Sequence, residues 1–271
     1  MGILSIVKKI YLILIFLFLY LPILVLILFS FSSSRTRGVF EGFTLRWYIE
    51  LFKDKEVLNV LLKTLLIAVS SSFIATVLGV IFALCLYKSK GFLKKFLLNT
   101  TRLPLINPDI ITGISLMILF MFAFKYLKFL SINLNFGFLT ILISHTVFNI
   151  PYVIFAILPR LSNLDENIFE AAYDLGANHF VMFKDIMLPE IFPGIVSGAL
   201  LSSAMSLDDF IISFFTSGSS LNNLSILIYS MTRRGINPKI NALSSIIFLL
   251  LLISIYFINI DDETILESTS D

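Results

Sequence analysis

The sequence contains few charged side chains and few of the side chains that bind metals. Asp, Glu, Lys and Arg form 14% of its 271 residues, and 20 basic against 18 acidic side chains leave a net charge of +2. Proteins that bind nucleic acid commonly carry a large excess of positive charge, so this balance argues against a nucleic-acid-binding protein. The lone Cys85 excludes a disulfide framework and predicts a packing role, since it lies in an apolar run. No second His or Cys stands at metal-ligand spacing from His145, so we expect no metal and no other cofactor.

A nucleotide-binding loop is also missing. The sequence contains no G-x-x-x-x-G-K-[ST] segment, the loop that holds the phosphates of ATP in many ATPases. Any ATP-driven work by this protein therefore requires a separate ATPase.

Apolar residues, by contrast, are abundant. They make up 58% of the chain, and the mean hydropathy is +0.96. One soluble core cannot bury this much apolar surface, so the composition predicts an all-α membrane protein. About 20 apolar residues cross the hydrocarbon core as a helix. We predict a single domain over residues 1–271 with six transmembrane helices, at 10–31, 64–87, 104–124, 136–158, 191–217 and 240–260.

Two of these spans contain acidic residues. The third reaches a sufficient length only if Asp109 is included, and the fifth passes through Asp208 and Asp209. The first span is too long for the apolar region of a signal peptide, so we interpret it as a retained helix. Six spans place both termini on one side of the membrane. Basic residues before the first span and after the second favour the cytoplasmic side, namely Lys8, Lys9, Lys88, Lys90, Lys94, Lys95 and Arg102. The count of all 20 basic residues does not decide the orientation by itself.

A polar segment, residues 163–189, separates the fourth and fifth spans and faces the cytoplasm in this orientation. Asn163, with a glutamate three residues on, resembles a capping box at the start of a short helix. Gly176 can adopt the positive φ that closes a helix, and Asn178 can cap a second one. We expect Pro189 to end this second helix before the fifth span.

The apolar residues of this segment recur at helical spacing and form an exposed apolar face. Such a face indicates a protein partner. A helix that lies on lipid would carry Lys and Arg on its polar face, where this segment has acidic residues instead. The apolar positions are Ile168, Ala171, Ala172 and Leu175 in the first helix, and Phe180, Phe183 and Met187 in the second.

The spacing E-A-A, three residues, Gly, nine residues, I-x-L-P resembles the signature loop of permease subunits in bacterial ABC importers. The resemblance implies that residues 163–189 form a coupling loop, which docks into a groove on a separate ATPase subunit. It also implies the MetI-like fold of type I ABC importer permeases. The matching residues, predicted to couple transport to ATP hydrolysis, are Glu170, Ala171, Ala172, Gly176, Ile186, Leu188 and Pro189.

Further blocks resemble the second permease subunit of spermidine/putrescine transporters and occur in the same order. They read "SFSSSRTRGVFEGFTLRWY", "NPDIITGISL", "SHTVFNIPYV", "SLDDFIISFF" and "IYSMTRRGINPKINALSSI". The resemblance implies a non-enzymatic subunit of an ATP-driven polyamine importer in the bacterial inner membrane. Its implied partners are membrane lipid, two copies of an ATP-binding subunit, a second homologous permease subunit and an extracytoplasmic polyamine-binding protein, with no nucleic acid.

Polyamines are flexible polycations, so a path for them needs carboxylates and aromatic faces. Asp208 and Asp209 lie inside an apolar run, where ionised carboxylates are costly and usually functional. Successive residues of a helix point in different directions, so one carboxylate can contact substrate while a neighbouring helix holds the other. The predicted path residues are Trp47, Asp109, Ser206, Asp208 and Asp209.

Most of these residues also have a purely structural interpretation. The acidic pair of the fifth span can form ion pairs with Arg233 or Arg234. Asp109 can interact with the dipole of the helix that it begins, and Trp47 can anchor the chain at the membrane interface.

Three more residues have structural interpretations alone. We expect His145 to be a packed, hydrogen-bonded core residue, and we expect close helix approach at Gly79 and Gly113.

Three other functions fit parts of the sequence. An intramembrane aspartyl protease needs two aspartates in one site, whereas Asp109 and Asp208 are predicted at opposite depths. An ATP-independent secondary transporter would leave the coupling loop unexplained. An importer of iron or of an oxyanion shares the permease pattern, but an oxyanion path favours helix N-termini and basic residues over paired carboxylates.

Overall fold

The computed structural model describes residues 2–34, 39–129, 131, 134–218, 223–234 and 238–268. Within these residues the chain is helical and has no β-strand, and one isolated antiparallel bridge joins Ser32 and Phe43. Residues 35–38 of the first quoted block and 235–237 of the last lie outside the described residues.

The described helices have the following bounds. They are α1 (Gly2–Ser30), α2 (Arg46–Lys53), α3 (Lys55–Lys88), α4 (Gly91–Ile106), α5 (Asp109–Phe129), α6 (Phe138–Ser162), α7 (Glu166–Asp174), α8 (His179–Val181), a π-helical turn (Met182–Met187), α9 (Leu188–Asp208), α10 (Ile211–Thr216), α11 (Leu224–Arg234) and α12 (Pro238–Ser268).

Five helical stretches of the described chain are long and apolar enough to cross a membrane. A shorter apolar stretch, Pro238–Ile253, lies in α12 where the sixth span was predicted. The five long stretches are Val7–Ser30, Lys55–Lys88, Asp109–Phe129, Phe138–Ser162 and His179–Asp208.

The third predicted span, 104–124, has different bounds in the structure. The chain leaves the helix at Asn107, whose φ of −70° and ψ of 138° are extended, and α5 begins at Asp109. The cause is Pro108, because the ring of a proline disfavours helical geometry in the residue before it. Asp109 is therefore the first residue of α5 and does not lie within a continuous helix.

The fifth predicted span, 191–217, is interrupted. The helix ends at Asp208, Asp209 is extended, and α10 begins at Ile211. The two carboxylate oxygens of Asp209 accept the backbone N–H groups of Ile212 and Ser213. A short polar side chain that bonds nearby backbone groups in this way competes with the helix and starts a new one.

The described residues fall into two compact units. The first combines residues 1–59 with 227–251, and the second combines 60–226 with 252–271. In the first unit Trp47 is buried, and its indole N–H donates to the Ser32 carbonyl with an N–O distance of 2.6 Å. The Ser30 hydroxyl lies 2.7 Å from that of Tyr48. These contacts fix α2 against the end of α1.

An ion pair between Asp54 and Lys239 joins distant parts of the first unit. The hydrogen bond from the Lys239 ammonium lowers the pKa of the Asp54 carboxyl below its usual 3.8, against the opposing effect of burial. Asp54 also accepts the backbone N–H groups of Glu56 and Val57, which caps α3. Asparagine at position 54 can keep this cap while it removes the charge.

We therefore expect a small stability loss in Asp54→Asn, under about 1 kcal/mol because the pair is partly exposed. A carboxyl whose pKa is lowered by folding stabilises above its unfolded pKa, so the difference should be present at pH 7 and disappear as the pH falls below 3.8. Thermal unfolding of the purified complex measures it. Glu56→Gln is the matched control, and an equal loss there would refute a specific role of the pair.

In the second unit α6 and α9 pack antiparallel with a constant register. His145 contacts Ser206 at one end, and a Cβ added to Gly198 would lie 3.1 Å from Val153 Cα further along. Glycine at this position lets the helices approach closely. The buried apolar core of this unit comprises Ala75, Ala83, Leu86, Val153, Ile154, Ile157, Leu161, Met187 and Ile191.

The predicted close approaches at two further glycines are confirmed. A Cβ on Gly79 would lie 2.6 Å from Val153 Cγ1, and one on Gly113 would lie 2.9 Å from Phe215 Cδ2. Real Cβ contacts are longer than this, so larger residues would displace α3 from α6 and α5 from α10.

Candidate functional site

The coupling loop begins with a helix cap at a different residue from the one predicted. Asn163 ends α6, and Asp165 is the N-cap of α7, with its side chain accepting the backbone N–H of Asn167 at 2.9 Å. The capping-box prediction for Asn163 was therefore wrong. Helix α6 continues past residue 158, the predicted end of the fourth span, to Ser162. Asn163 therefore ends α6, and Asp165, two residues later, caps α7.

The predicted turn at Gly176 is confirmed. Its φ of +84° lies in the left-handed region that favours glycine. The Gly176 N–H donates to the Tyr173 carbonyl at 2.9 Å, and the Ala177 N–H donates to the Ala172 carbonyl at 3.0 Å. These two bonds form a Schellman motif, which satisfies the last carbonyls of α7 and reverses the chain.

Asn178 caps the second helix as predicted. Its side-chain oxygen accepts the backbone N–H groups of Phe180 and Val181 at 3.0 and 2.9 Å. The prediction that Pro189 ends this helix was wrong, since the helical stretch continues without interruption from His179 to Asp208. The chain widens into a π-helical turn just before Pro189, which accommodates a residue without a backbone N–H.

The apolar face of the coupling loop is exposed at its tip. Leu175 is 90% exposed and Phe180 is 70% exposed, whereas Met182 and Met187 are buried. Exposed apolar side chains of this size indicate a contact surface. Among the motif residues, Ala172 is buried, Ile186 and Leu188 are half-buried, and Ala171, Gly176 and Pro189 are exposed, while Glu170 lies in α7.

A side-chain bond across the turn, which the sequence analysis missed, connects the two short helices. The Tyr173 hydroxyl lies 2.7 Å from His179 Nδ1, and the two rings meet edge to face with centroids 5.6 Å apart. The bond sets the angle between α7 and α8 together with Gly176. The signal in the sequence was that Tyr173 and His179 stand six residues apart on either side of Gly176.

A groove of about 470 Å³ lies between the end of α3 and the coupling loop. Cys85 and Lys88 line it on the α3 side, and Met182 and Phe183 line it on the loop side. Cys85 is exposed, so the prediction that it is a packing residue was wrong.

The two aspartates at the end of α9 differ in their environments. Asp208 is exposed, whereas the Asp209 side chain is 6% exposed. Asp209 Oδ2 lies 3.2 Å from His145 Nε2, and it accepts the Ser213 backbone N–H at 2.7 Å. His145 is itself 1% exposed and also contacts Ser206, so its predicted role as a hydrogen-bonded core residue is confirmed. A neighbouring helix thus holds Asp209, and Asp208 stays accessible.

Further polar residues extend these contacts to α3 and to Asn223, the residue before α11. Asn223 donates from Nδ2 to the Ser213 hydroxyl at 2.7 Å and to the Asp209 carbonyl at 3.2 Å, and it accepts from Thr64 at 2.9 Å. The Ser206 hydroxyl lies 3.2 Å from that of Ser71. We call this cluster the polar network; it comprises Thr64, Ser71, His145, Ser206, Asp209, Ser213 and Asn223.

The remaining predicted path residues lie in three different places. Asp109 is exposed at the start of α5, next to the helix dipole. Ser206 is buried in the polar network. Trp47 is buried in the first unit, and the Arg46 guanidinium lies 5.5 Å from its ring centroid. The ring of Trp47 thus contacts residues of its own unit and is not available to a substrate.

The family described as "Binding-protein-dependent transport system inner membrane component" matches residues 75–261, more than half of the chain. This chain belongs to that family. It is therefore a multi-pass inner-membrane subunit of a binding-protein-dependent transport system. ABC importers of this kind work with an ATPase and a binding protein, so the predicted class of transport subunit is confirmed.

Relatives from Escherichia coli match most of the chain. The "Spermidine/putrescine transport system permease protein PotC" of Escherichia coli (strain K12) is 35% identical over 80% of this chain and 78% of that protein. The "Putrescine transport system permease protein PotI" of the same strain is 40% identical over 79% of this chain and 75% of that protein.

Solved structures of bacterial ABC transporters share the fold. A bacterial ABC transporter that imports the acidic polysaccharide alginate matches with a TM-score of 0.73 at 16% identity, covering 96% of this chain and 94% of that one. The MetNI methionine ABC transporter matches with a TM-score of 0.59 at 18% identity, covering 78% and 94%. The predicted all-α fold of an ABC importer permease is thus confirmed.

Proposed function

We propose that this chain is a permease subunit of an ATP-driven importer that moves polyamines, spermidine or putrescine, from a binding protein into the cytoplasm. The observation that carries the proposal is the 35–40% identity to polyamine permeases over about four fifths of the chain. The partners are two copies of a separate ATPase subunit, a second homologous permease subunit and an extracytoplasmic polyamine-binding protein.

The chemistry of the α9–α10 break supports a cationic substrate. Asp208 is exposed at the end of an apolar helix, and Asp209 is held in the polar network. An accessible carboxylate at such a position is expensive in a membrane and usually serves a transport path. We assign Asp208 as the residue that meets an ammonium group of the substrate, with Asp109 as a second carboxylate of the path.

The coupling loop supplies the connection to the ATPase. Its exposed tip, with Ile168, Leu175 and Phe180, fits a surface that docks into a groove of a partner protein. Two short helices at an angle fixed by Gly176 transmit force better than a flexible loop. ATP-driven movement of the partner then reaches α9 directly, because the helical stretch is continuous from His179 to Asp208.

Uptake of labelled solutes tests the proposal. The chain is expressed with its candidate partner subunits in cells that lack polyamine uptake, and spermidine, putrescine, ferric iron and an oxyanion are supplied separately. We expect uptake of a polyamine and its loss when the ATPase subunit is inactivated. Uptake of iron or the oxyanion alone would assign another substrate, and uptake without ATPase activity would indicate a secondary transporter.

We further propose that both termini and the coupling loop face the cytoplasm. The ion pair between Asp54 and Lys239 supports one part of this topology, because it places two segments that are both predicted outside on the same side. The basic residues before the first span, Lys8 and Lys9, support the assignment of the sides. We expect a cysteine at position 178, in a Cys85→Ala background, to be protected from impermeant thiol reagent in intact cells. Labelling from outside would contradict the orientation, and permeabilised cells provide the control.

A further inference from the structure

Helices α3, α6 and α9 meet in layers at corresponding positions along their length. One layer is joined by side-chain contacts of 3.2 and 2.5 Å, and its members are Ser71, His145 and Ser206. Another layer is closely packed through its glycines, and its members are Gly79, Val153 and Gly198. These layers are eight residues apart on each helix, so the residues midway between them lie at one level. We call these residues the middle layer; they are Ala75, Asn149 and Ser202, and all three are 0% exposed.

The middle layer buries two polar side chains that lack protein partners. Neither the amide of Asn149 nor the hydroxyl of Ser202 forms a hydrogen bond with any residue that the structure describes. By contrast, the hydroxyl of the neighbouring Ser203 donates to the Leu200 carbonyl of its own helix at 2.8 Å. A buried polar group without a partner is destabilising, and the surrounding lipid can supply none. The two side chains therefore indicate a small polar ligand.

A water molecule has the chemistry that these two side chains require. The Asn149 amide and the Ser202 hydroxyl can each donate and accept, and a buried water typically makes two to four hydrogen bonds to such groups. A direct bond between the two side chains would satisfy one group of the amide and leave its other group unpaired. A hard metal cation takes about six oxygen ligands or more, whereas the two side chains supply one oxygen each.

We propose that a buried water molecule occupies the middle layer and bridges the Asn149 amide of α6 and the Ser202 hydroxyl of α9. It extends the polar contacts of His145 and Ser206 along the two helices toward the coupling loop. Ala75 contributes only a methyl group from α3, so the water is enclosed by three helices. This site belongs to the interior of the subunit and goes beyond the proposed transport of polyamines.

A high-resolution structure of the assembled transporter tests the site directly. We expect density for a water molecule within about 3.2 Å of both the Asn149 amide and the Ser202 hydroxyl. A direct hydrogen bond between the two side chains would overturn the proposal, and so would a well-resolved middle layer without density between them.

The sign of a stability change tests the same bridge in solution. Ser202→Ala should lower the unfolding midpoint of the purified complex by about 2–4 °C, because it removes a hydrogen bond to the water. Removal of a hydroxyl that has no partner would raise the midpoint instead, and such a rise would refute the proposal.

A double-mutant cycle tests whether the two side chains share one ligand. Asn149→Leu/Ser202→Ala should lower the midpoint by less than the sum of the two single shifts, because both changes remove bonds to the same water. Ser203→Ala is the matched control on α9, and its shift should add to that of Asn149→Leu. Additive shifts in the first pair as well would refute the bridge. If Asn149→Leu does not assemble, the sign of the Ser202→Ala shift and the density decide.

Discussion

Gly176→Val is expected to assemble normally and to lose uptake by about tenfold or more. The φ of Gly176 is +84°, and a left-handed conformation costs a residue with a Cβ about 1–2 kcal/mol. A Cβ at this position would meet no atom within 4 Å, so the expected effect comes from the backbone and not from a clash. Since 1.4 kcal/mol corresponds to a factor of ten, the strained turn populates the docking angle of α7 and α8 far less often.

Two matched variants control for strain and for side-chain size. Gly176→Asn should keep most of the uptake, because asparagine adopts the left-handed region more readily than valine. Gly91→Val introduces the same strain outside the coupling loop, since Gly91 has a φ of +61° and open space around its Cβ position. We expect it to keep uptake. Transport by Gly176→Val at the wild-type rate would show that the bend has no mechanical role.

Asp208→Asn is expected to reduce uptake by about 10- to 100-fold, because a hydrogen bond to a charged group contributes about 1.5–3 kcal/mol. Asparagine keeps the size and the hydrogen bonding of the side chain and removes only the charge. The helix should therefore still pack, and the complex should still assemble. ATPase activity stimulated by the loaded binding protein should fall together with uptake, while the basal ATPase activity of the complex stays at its wild-type level.

Asp208→Glu is the matched control for charge. It keeps the carboxylate and shifts its position, so we expect partial uptake, between that of wild type and that of Asp208→Asn. A purely architectural role predicts the reverse order, with asparagine tolerated and the longer glutamate disruptive. The order of the two variants thus separates substrate contact from packing.

The local features of the coupling loop were predictable because neighbouring residues determine them. A glycine between two helical patterns adopts a positive φ, and an asparagine two residues later caps the next helix. These effects need only the backbone within a few residues. The seven-residue motif then connects this geometry to the binding-protein-dependent transport family, to which the chain belongs.

The break after Asp208 was not predictable from hydropathy, because contacts far apart in sequence stabilise it. Asp209 bonds His145 of α6, and Asn223 bonds both the Asp209 carbonyl and Ser213. From the sequence alone, an apolar run that contains two aspartates is predicted to be one helix, because the contacts with His145 and Asn223 are not known at that point. The same holds for the buried Trp47, whose indole N–H donates to the Ser32 carbonyl, fifteen residues away.

The assignment of the helix after the coupling loop failed for a different reason. Proline was expected to end α8 at Pro189, but a proline can also enter a helix where a π-helical turn precedes it. The consequence is structural, since α8, the π-helical turn and α9 form one continuous helical stretch. This connection runs from the exposed tip of the coupling loop to Asp208.

Spermidine uptake by the Asp208→Asn/Asp209→Asn double variant, normalised to assembled complex, tests the central claim most directly. The claim is that a polyamine crosses the membrane along a path whose negative charge lies at the end of α9. We predict that the double variant transports as poorly as Asp208→Asn, about tenfold or more below wild type. Full uptake in the double variant and in both single variants would contradict the claim.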